Sequence, residues 1–162
     1  MTDTNNTTGQ TLDISASMQR YYADRQRYEA LSTSIRPANK KALFDVLAAA
    51  DITQVIVTFD GYGDSGQIED VSALSGGKSV DLPNGQISLS RASWGTDKVT
   101  EHVTTIEEAV EQLAYDFLAE THPGWENNDG AYGEFTFDVK SRVITLDHNE
   151  RYTATESFEH TF

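Results

Sequence analysis

Cysteine is missing from all 162 residues. That excludes disulfide staples, thiolate metal sites and cysteine nucleophiles, and it suits a cytoplasmic protein. Long apolar runs are missing too, and none approaches the roughly 18 consecutive residues that a membrane span needs. Met1 to Gln10 is polar and lacks the basic-then-apolar order of a signal peptide. No serine sits in a G-x-S-x-G elbow, so the nucleophile turn of an α/β-hydrolase is not expected. Basic residues are scarce, with 12 Lys and Arg against 26 Asp and Glu. The imbalance is confined to one part of the chain. Residues 1–50 carry a net +1 and residues 51–162 a net −15. Such a field repels nucleic acid and anionic membrane, and it attracts cations or basic protein surfaces. An acidic surface that serves only solubility gives the same totals.

What is present fits one ordinary domain, with 38% hydrophobic and 10% aromatic residues. Residues 1–11, rich in Thr and Asn, read as a disordered leader. The rest, 12–162, reads as a helical part over 12–50 followed by a sheet-forming part over 51–162. Met18, Tyr21, Tyr22, Tyr28 and Leu31 recur at near-helical spacing. Ser34 to Pro37 interrupts that pattern, and Pro37 suits the first turn of a new helix. Leu43, Val46, Leu47 and Ala50 give the second helix its apolar face.

Beyond Asp51 the period changes from 3.6 to 2. Val55, Val57 and Phe59 mark a strand, Gly61 to Gly66 a turn, and Ile68 to Leu74 the return. Further short strands are expected near 79–82 and 86–89. The helix predicted over 104–120 has a capping box, Thr104 with Glu107 or Thr105 with Glu108, and an apolar stripe from Ile106 to Leu118. A last hairpin turns at Lys140-Ser141, which sets Phe137 against Ile144, Phe135 against Leu146 and Glu134 against Asp147. Tyr152 to Phe162 reads as a final strand. The fold class is therefore α+β: an antiparallel sheet built from hairpins, covered on one face by a long amphipathic helix, with N-terminal helices.

Three familiar patterns fall in one loop, and each fails on context. Gly61-Tyr62-Gly63-Asp64-Ser65-Gly66 matches G-x-G-x-x-G, but no helix of useful length follows it and the neighbouring acids repel phosphate. Gly63-Asp64-Ser65-Gly66 resembles the nucleophile loop of chymotrypsin-like proteases, a fold that needs far more chain. An EF-hand loop counted from Asp60 has Tyr62 at its third place and Val71 at its twelfth.

Carboxylate clustering carries the chemistry that remains. Like charges such as Glu134 and Asp147, opposed across strands, repel unless a cation, a basic side chain or a shared proton sits between them. If the two hairpins are neighbours, Asp60, Asp64, Glu69, Glu134 and Asp147 form a hard-oxygen site of the kind that takes Ca²⁺ or Mg²⁺, with hydrolysis as the chemistry open to it. The alternative is a solvated acidic sheet face, partly neutralised by Arg142 or Arg151. On that reading Asp60, Asp64, Glu134, Asp138 and Asp147 dock on a basic protein surface, and no cofactor is required. Tyr21, Tyr22 and Tyr28 on the first helix form a second candidate surface. His122 and His148 are candidate ligands or proton carriers, but neither has a second histidine at metal-ligand spacing. A histidine at a helix C-terminus is also a favourable dipole partner.

The segments Phe59–Glu69, His122–Phe135 and Asp147–Tyr152 resemble an uncharacterised bacterial domain family, often plasmid- or phage-associated, over about residues 40–160. The resemblance implies one folded unit with these three segments as its signature, and it assigns no activity. A mobile-element setting implies counter-defence roles, in which a small acidic protein imitates nucleic acid and inhibits a nucleic-acid-binding complex without itself binding nucleic acid or membrane.

Overall fold

The computed structural model describes residues 7–162, with side chains from Asp13 onward. Residues 1–6 of the expected leader lie outside that range, and the first helix, α1, is described over Thr7–Ala49. Contacts divide the chain into two compact units: α1 up to Lys41 with Ser88–Val103, and Ala42–Ile87 with Thr104–Phe162.

The helix break expected at Ser34–Pro37 does not occur, because α1 runs through Pro37 without interruption. A proline inside a helix removes a ladder bond and costs about 3 kcal/mol or more. Contacts made by the residues that follow it in the helix offset that cost. In the first unit the buried Asn39 amide behaves like a strand edge, donating to the Ser90 carbonyl at 2.9 Å and accepting the Ser90 N–H at 2.8 Å. In the second unit Leu43, Phe44 and Leu47 are fully buried. Most of a two-stranded sheet, β4 (Gln86–Ala92) with β5 (Val99–Thr105), belongs to the first unit. There Trp94 is 5.6 Å from the Tyr21 ring and 5.5 Å from Tyr28, two turns further along the same helix face.

The second unit is built on a five-stranded antiparallel sheet. It comprises β1 (Gln54–Tyr62), β2 (Ser65–Ser75), β3 (Lys78–Val80), β6 (Ala131–Asp138) and β7 (Val143–Glu150), in the order β3-β2-β1-β6-β7. Val55, Val57, Phe59, Phe135 and Phe137 point to one face and are buried. The helix α2 (Ile106–Thr121) packs on that face, with the Phe117 ring 6.4 Å from Phe135. The end of α1 joins it through Phe44, 6.2 Å from Phe137. Both halves of the Thr105–Glu108 capping box form, and Thr104 also donates to Glu108 at 2.6 Å. Those bonds hold the Glu108 carboxyl below its usual pKa range.

The last hairpin has the expected register: Phe137 faces Ile144, Phe135 faces Leu146 and Glu134 faces Asp147. Its turn is fastened by Asp138, whose Oδ1 accepts the Ser141 N–H at 2.9 Å and the Ser141 hydroxyl at 2.8 Å. Two strand expectations change. β5 goes unforeseen because its valines face outward while Thr104 is buried, so apolar alternation points the wrong way. The strand expected over Tyr152–Phe162 does not form; the chain leaves the sheet after Arg151, with Tyr152, Phe158 and Phe162 exposed. No turn residue separates Glu150 from Tyr152, so the chain has no local means of folding back on β7. Among the described residues no helix is long and apolar enough to cross a membrane.

Candidate functional site

Three distant stretches of the second unit meet at one end of its sheet: the β1–β2 turn, the loop from His122 to Gly130, and the end of β7. Trp125 joins the first two. Its ring packs edge-on to Phe59 at 5.4 Å and lies so close over the turn that a Cβ on Gly61 or Gly66 would approach it to 2.7 or 2.4 Å. The first and last glycines of the apparent G-x-G-x-x-G pattern, Gly61 and Gly66, therefore make room for an indole, while Gly63 faces open space with a positive φ of 58°. Backbone bonds add to the junction, from Gly63 N–H to the Asn128 carbonyl at 3.0 Å and from Asp64 N–H to the Glu126 carbonyl at 3.1 Å. Arg151 ties in the third stretch. Its N–H donates to the Gly130 carbonyl at 2.9 Å, and its Nη1 donates to the carbonyls of Gly61 and Ala131 at 3.2 and 3.3 Å. The same Nη1 stands 2.8 Å from Asp60 Oδ1, an ion pair not aligned as a hydrogen bond, and the guanidinium lies 4.6 Å over the Tyr132 ring.

Beside this junction sits a pair of histidines. His122 caps the end of α2, its N–H donating to the Leu118 carbonyl at 2.8 Å. His148 and Glu150 lie two residues apart on β7, so they share a face. The two imidazoles stack at 3.6 Å with only 7° between their planes, and Phe59 lies 5.8 Å beyond His148. Glu150 Oε1 stands 3.7 Å from His122 Nδ1 and 3.6 Å from His148 Nε2, too far for hydrogen bonds. The His148 side chain is only 6% exposed, and neither ring nitrogen has a hydrogen-bond partner. Burial first, and the neighbouring His122 second, push its pKa down against the pull of Glu150. A cleft of about 260 Å³ opens next to the pair, lined by His122, Trp125, Asn127, Asp129, Glu150 and Arg151 among others.

The carboxylates singled out from sequence are arranged differently. Glu134 and Asp147 are exposed on the opposite face of the sheet. Thr58 is the next residue across on β1 and Asp70 the next on β2, so Asp70, Thr58, Glu134 and Asp147 form one row over four strands. Asp60 lies in the adjoining row, beside Arg151. Asp138 holds its turn, where the bonds from Ser141 keep its carboxyl below the usual range. Asp64 sits at the β1–β2 tip with a positive φ of 64°. Glu69 falls at the β2 bulge and accepts from Gln67 at 3.3 Å. Among the described residues, the group of histidines and acids with three ligand atoms within 4.8 Å of one another is His122, His148 and Glu150. It contains none of the five acids expected to share a cation. Of the basic side chains expected to neutralise the acidic face, Arg142 pairs with Asp45 and Arg151 with Asp60. In the first unit Tyr21 and Tyr22 are about half exposed, and Tyr28 is less so.

The model of a family of unknown function, DUF6878, matches residues 35–162. The chain belongs to that family. No curated protein and no solved structure matches it. The DUF6878 region includes all three converging stretches, with the histidine pair and Glu150. Their meeting could not be read from spacing, since 25 residues separate His122 from His148. Their places inside two of the three signature segments were the available signal.

Proposed function

We propose that this DUF6878 protein is a non-enzymatic interaction protein that docks the acidic open face of its sheet on a basic surface of a nucleic-acid-binding partner. The observation that carries this reading is the spread of the acids. Asp70, Glu134 and Asp147 share one row, with Asp60 and Asp138 on the same face, and none of them belongs to the close group of ligand atoms found among the described residues. A site for a small cation needs convergence, whereas a docking surface needs breadth. Glu134 and Asp147 oppose each other directly, and neither forms an ion pair among the described residues. Their repulsion is relieved when a Lys or Arg of a partner comes between them. The net −15 of residues 51–162 steers such a partner at long range and disfavours nucleic acid. Occupying a basic surface in this way excludes the nucleic acid that would otherwise bind there, which makes inhibition the consequence of docking. A mobile-element counter-defence role is the finer form of the same proposal.

The test is a salt series on the complex with a partner captured by the wild-type protein. Affinity should fall steeply between low and physiological salt, and free DNA or RNA should compete. Glu134→Lys with Asp147→Lys should slow association more than it speeds dissociation. A complex indifferent to both salt and charge reversal refutes the proposal, and the Tyr21–Tyr22 surface of the first unit becomes the better candidate.

A further inference from the structure

We propose that His122, His148 and Glu150 form a binding site for one divalent transition-metal ion of the zinc class. Two independent observations support it. The first is convergence: a helix end and an edge strand bring two imidazole nitrogens and a carboxylate oxygen within 4.8 Å of one another. The second is the state of His148, whose side chain is more than nine-tenths buried with neither nitrogen bonded. An unsatisfied buried polar group is costly, and an apolar residue would fill the same space without that cost. A metal ion at Nε2 gives one of those nitrogens a partner.

The donor set decides the class of ion. Two imidazoles with one carboxylate suit Zn²⁺, Co²⁺ or Ni²⁺, while Ca²⁺ and Mg²⁺ take oxygen ligands. Three protein ligands leave a position free on a four-coordinate ion. His122 and Glu150 both line the adjacent cleft, which gives water or a small ligand access to that position. Binding also requires a movement. Lone pairs of parallel stacked rings run side by side, so one ring must tilt before both nitrogens reach about 2.0–2.1 Å from a zinc ion. His122 is the ring to move, being 35% exposed at the end of a helix, whereas His148 is held between His122 and Phe59.

The test uses the full chain, stripped with EDTA and titrated separately with Zn²⁺, Co²⁺, Ni²⁺, Ca²⁺ and Mg²⁺ by calorimetry and thermal shift. One Zn²⁺ per chain should bind, Co²⁺ should give a visible absorption band, and Ca²⁺ and Mg²⁺ should do neither. Loss of an outer-shell partner already costs about 10–100-fold in metal affinity, so His122→Gln and Glu150→Gln should each weaken zinc at least that much. Both positions are exposed enough for the variants to fold, which circular dichroism in EDTA would verify. His160→Gln and Glu134→Gln should bind zinc like the wild type. Absence of stoichiometric zinc binding overturns the proposal, and so does binding that survives in both His122→Gln and Glu150→Gln.

Discussion

Gly66→Ala has a sign that the structure decides. Gly66 has no positive φ to forbid a side chain. With open space around it, alanine would stabilise the protein by about 0.4–1 kcal/mol through the unfolded chain. The space is not open: a Cβ there would lie 2.4 and 2.7 Å from two atoms of the Trp125 ring and 2.8 Å from the Glu126 Cβ. A flexible side chain could swing away, but an indole packed against Phe59 moves as a plate and takes its loop with it. Overpacking of this kind costs about 1–3 kcal/mol, so the net effect is a loss. Urea denaturation of the wild type, Gly66→Ala, Trp125→Ala and the double variant forms a cycle that isolates the clash. With the ring gone the two closest contacts disappear, so the loss caused by Gly66→Ala should shrink by more than half. The two sites should couple by an amount within the usual 0.5–3 kcal/mol for touching residues, roughly in its middle. Strict additivity, or a stabilising Gly66→Ala in the wild-type background, would refute the view that these glycines exist to seat Trp125.

The core supplies a second prediction: Leu113→Ala and Phe137→Ala, at positions 3% and 0% exposed, should each cost about 2–5 kcal/mol in the same assay. Glu111→Ala, on the other side of α2, should stay within about 0.5 kcal/mol. His148 supplies a third, measured in EDTA. Its folded pKa lies below the ordinary value near 6.5, so the unfolded chain takes up the proton first as pH falls. Stability should therefore be level above about pH 6.5 and decline below it until the folded pKa is reached. His148→Leu should flatten that slope, and a slope unchanged in the variant would assign the effect to another group.

Sequence and structure agree where one physical rule acts alone. The α2 stripe and its capping box were legible because burial and capping both follow a short spacing. The register of β6 and β7 followed from turning the chain at Lys140-Ser141 and keeping Phe135 and Phe137 inside. Rules in competition were harder to read. Pro37 favours a helix start, yet the bonds of Asn39 and the burial of Leu43, Phe44 and Leu47 carry α1 through it. β5 buries a threonine and exposes valines, so its alternation misleads. The acids of the open sheet face were legible one by one, while their lack of convergence depended on the order of four strands. The histidine pair was the least legible. Each ring comes from an element whose own pattern has no need of it, and only the fold makes them neighbours.

One feature of the sheet bears on how the molecule behaves in a crowd. β7 closes the order β3-β2-β1-β6-β7, and the chain departs from it at Arg151, so an eight-residue strand forms the rim of its sheet. Such rims recruit strands from other molecules and seed fibres. Here Asp147 and Glu150 lie on the rim strand itself, and another copy would bring the same acids to meet them. The charge proposed to attract a basic partner also opposes pairing between identical rims. Neutralising both by Asp147→Asn with Glu150→Gln removes this protection without altering any contact in the core, so in that variant aggregation should precede unfolding.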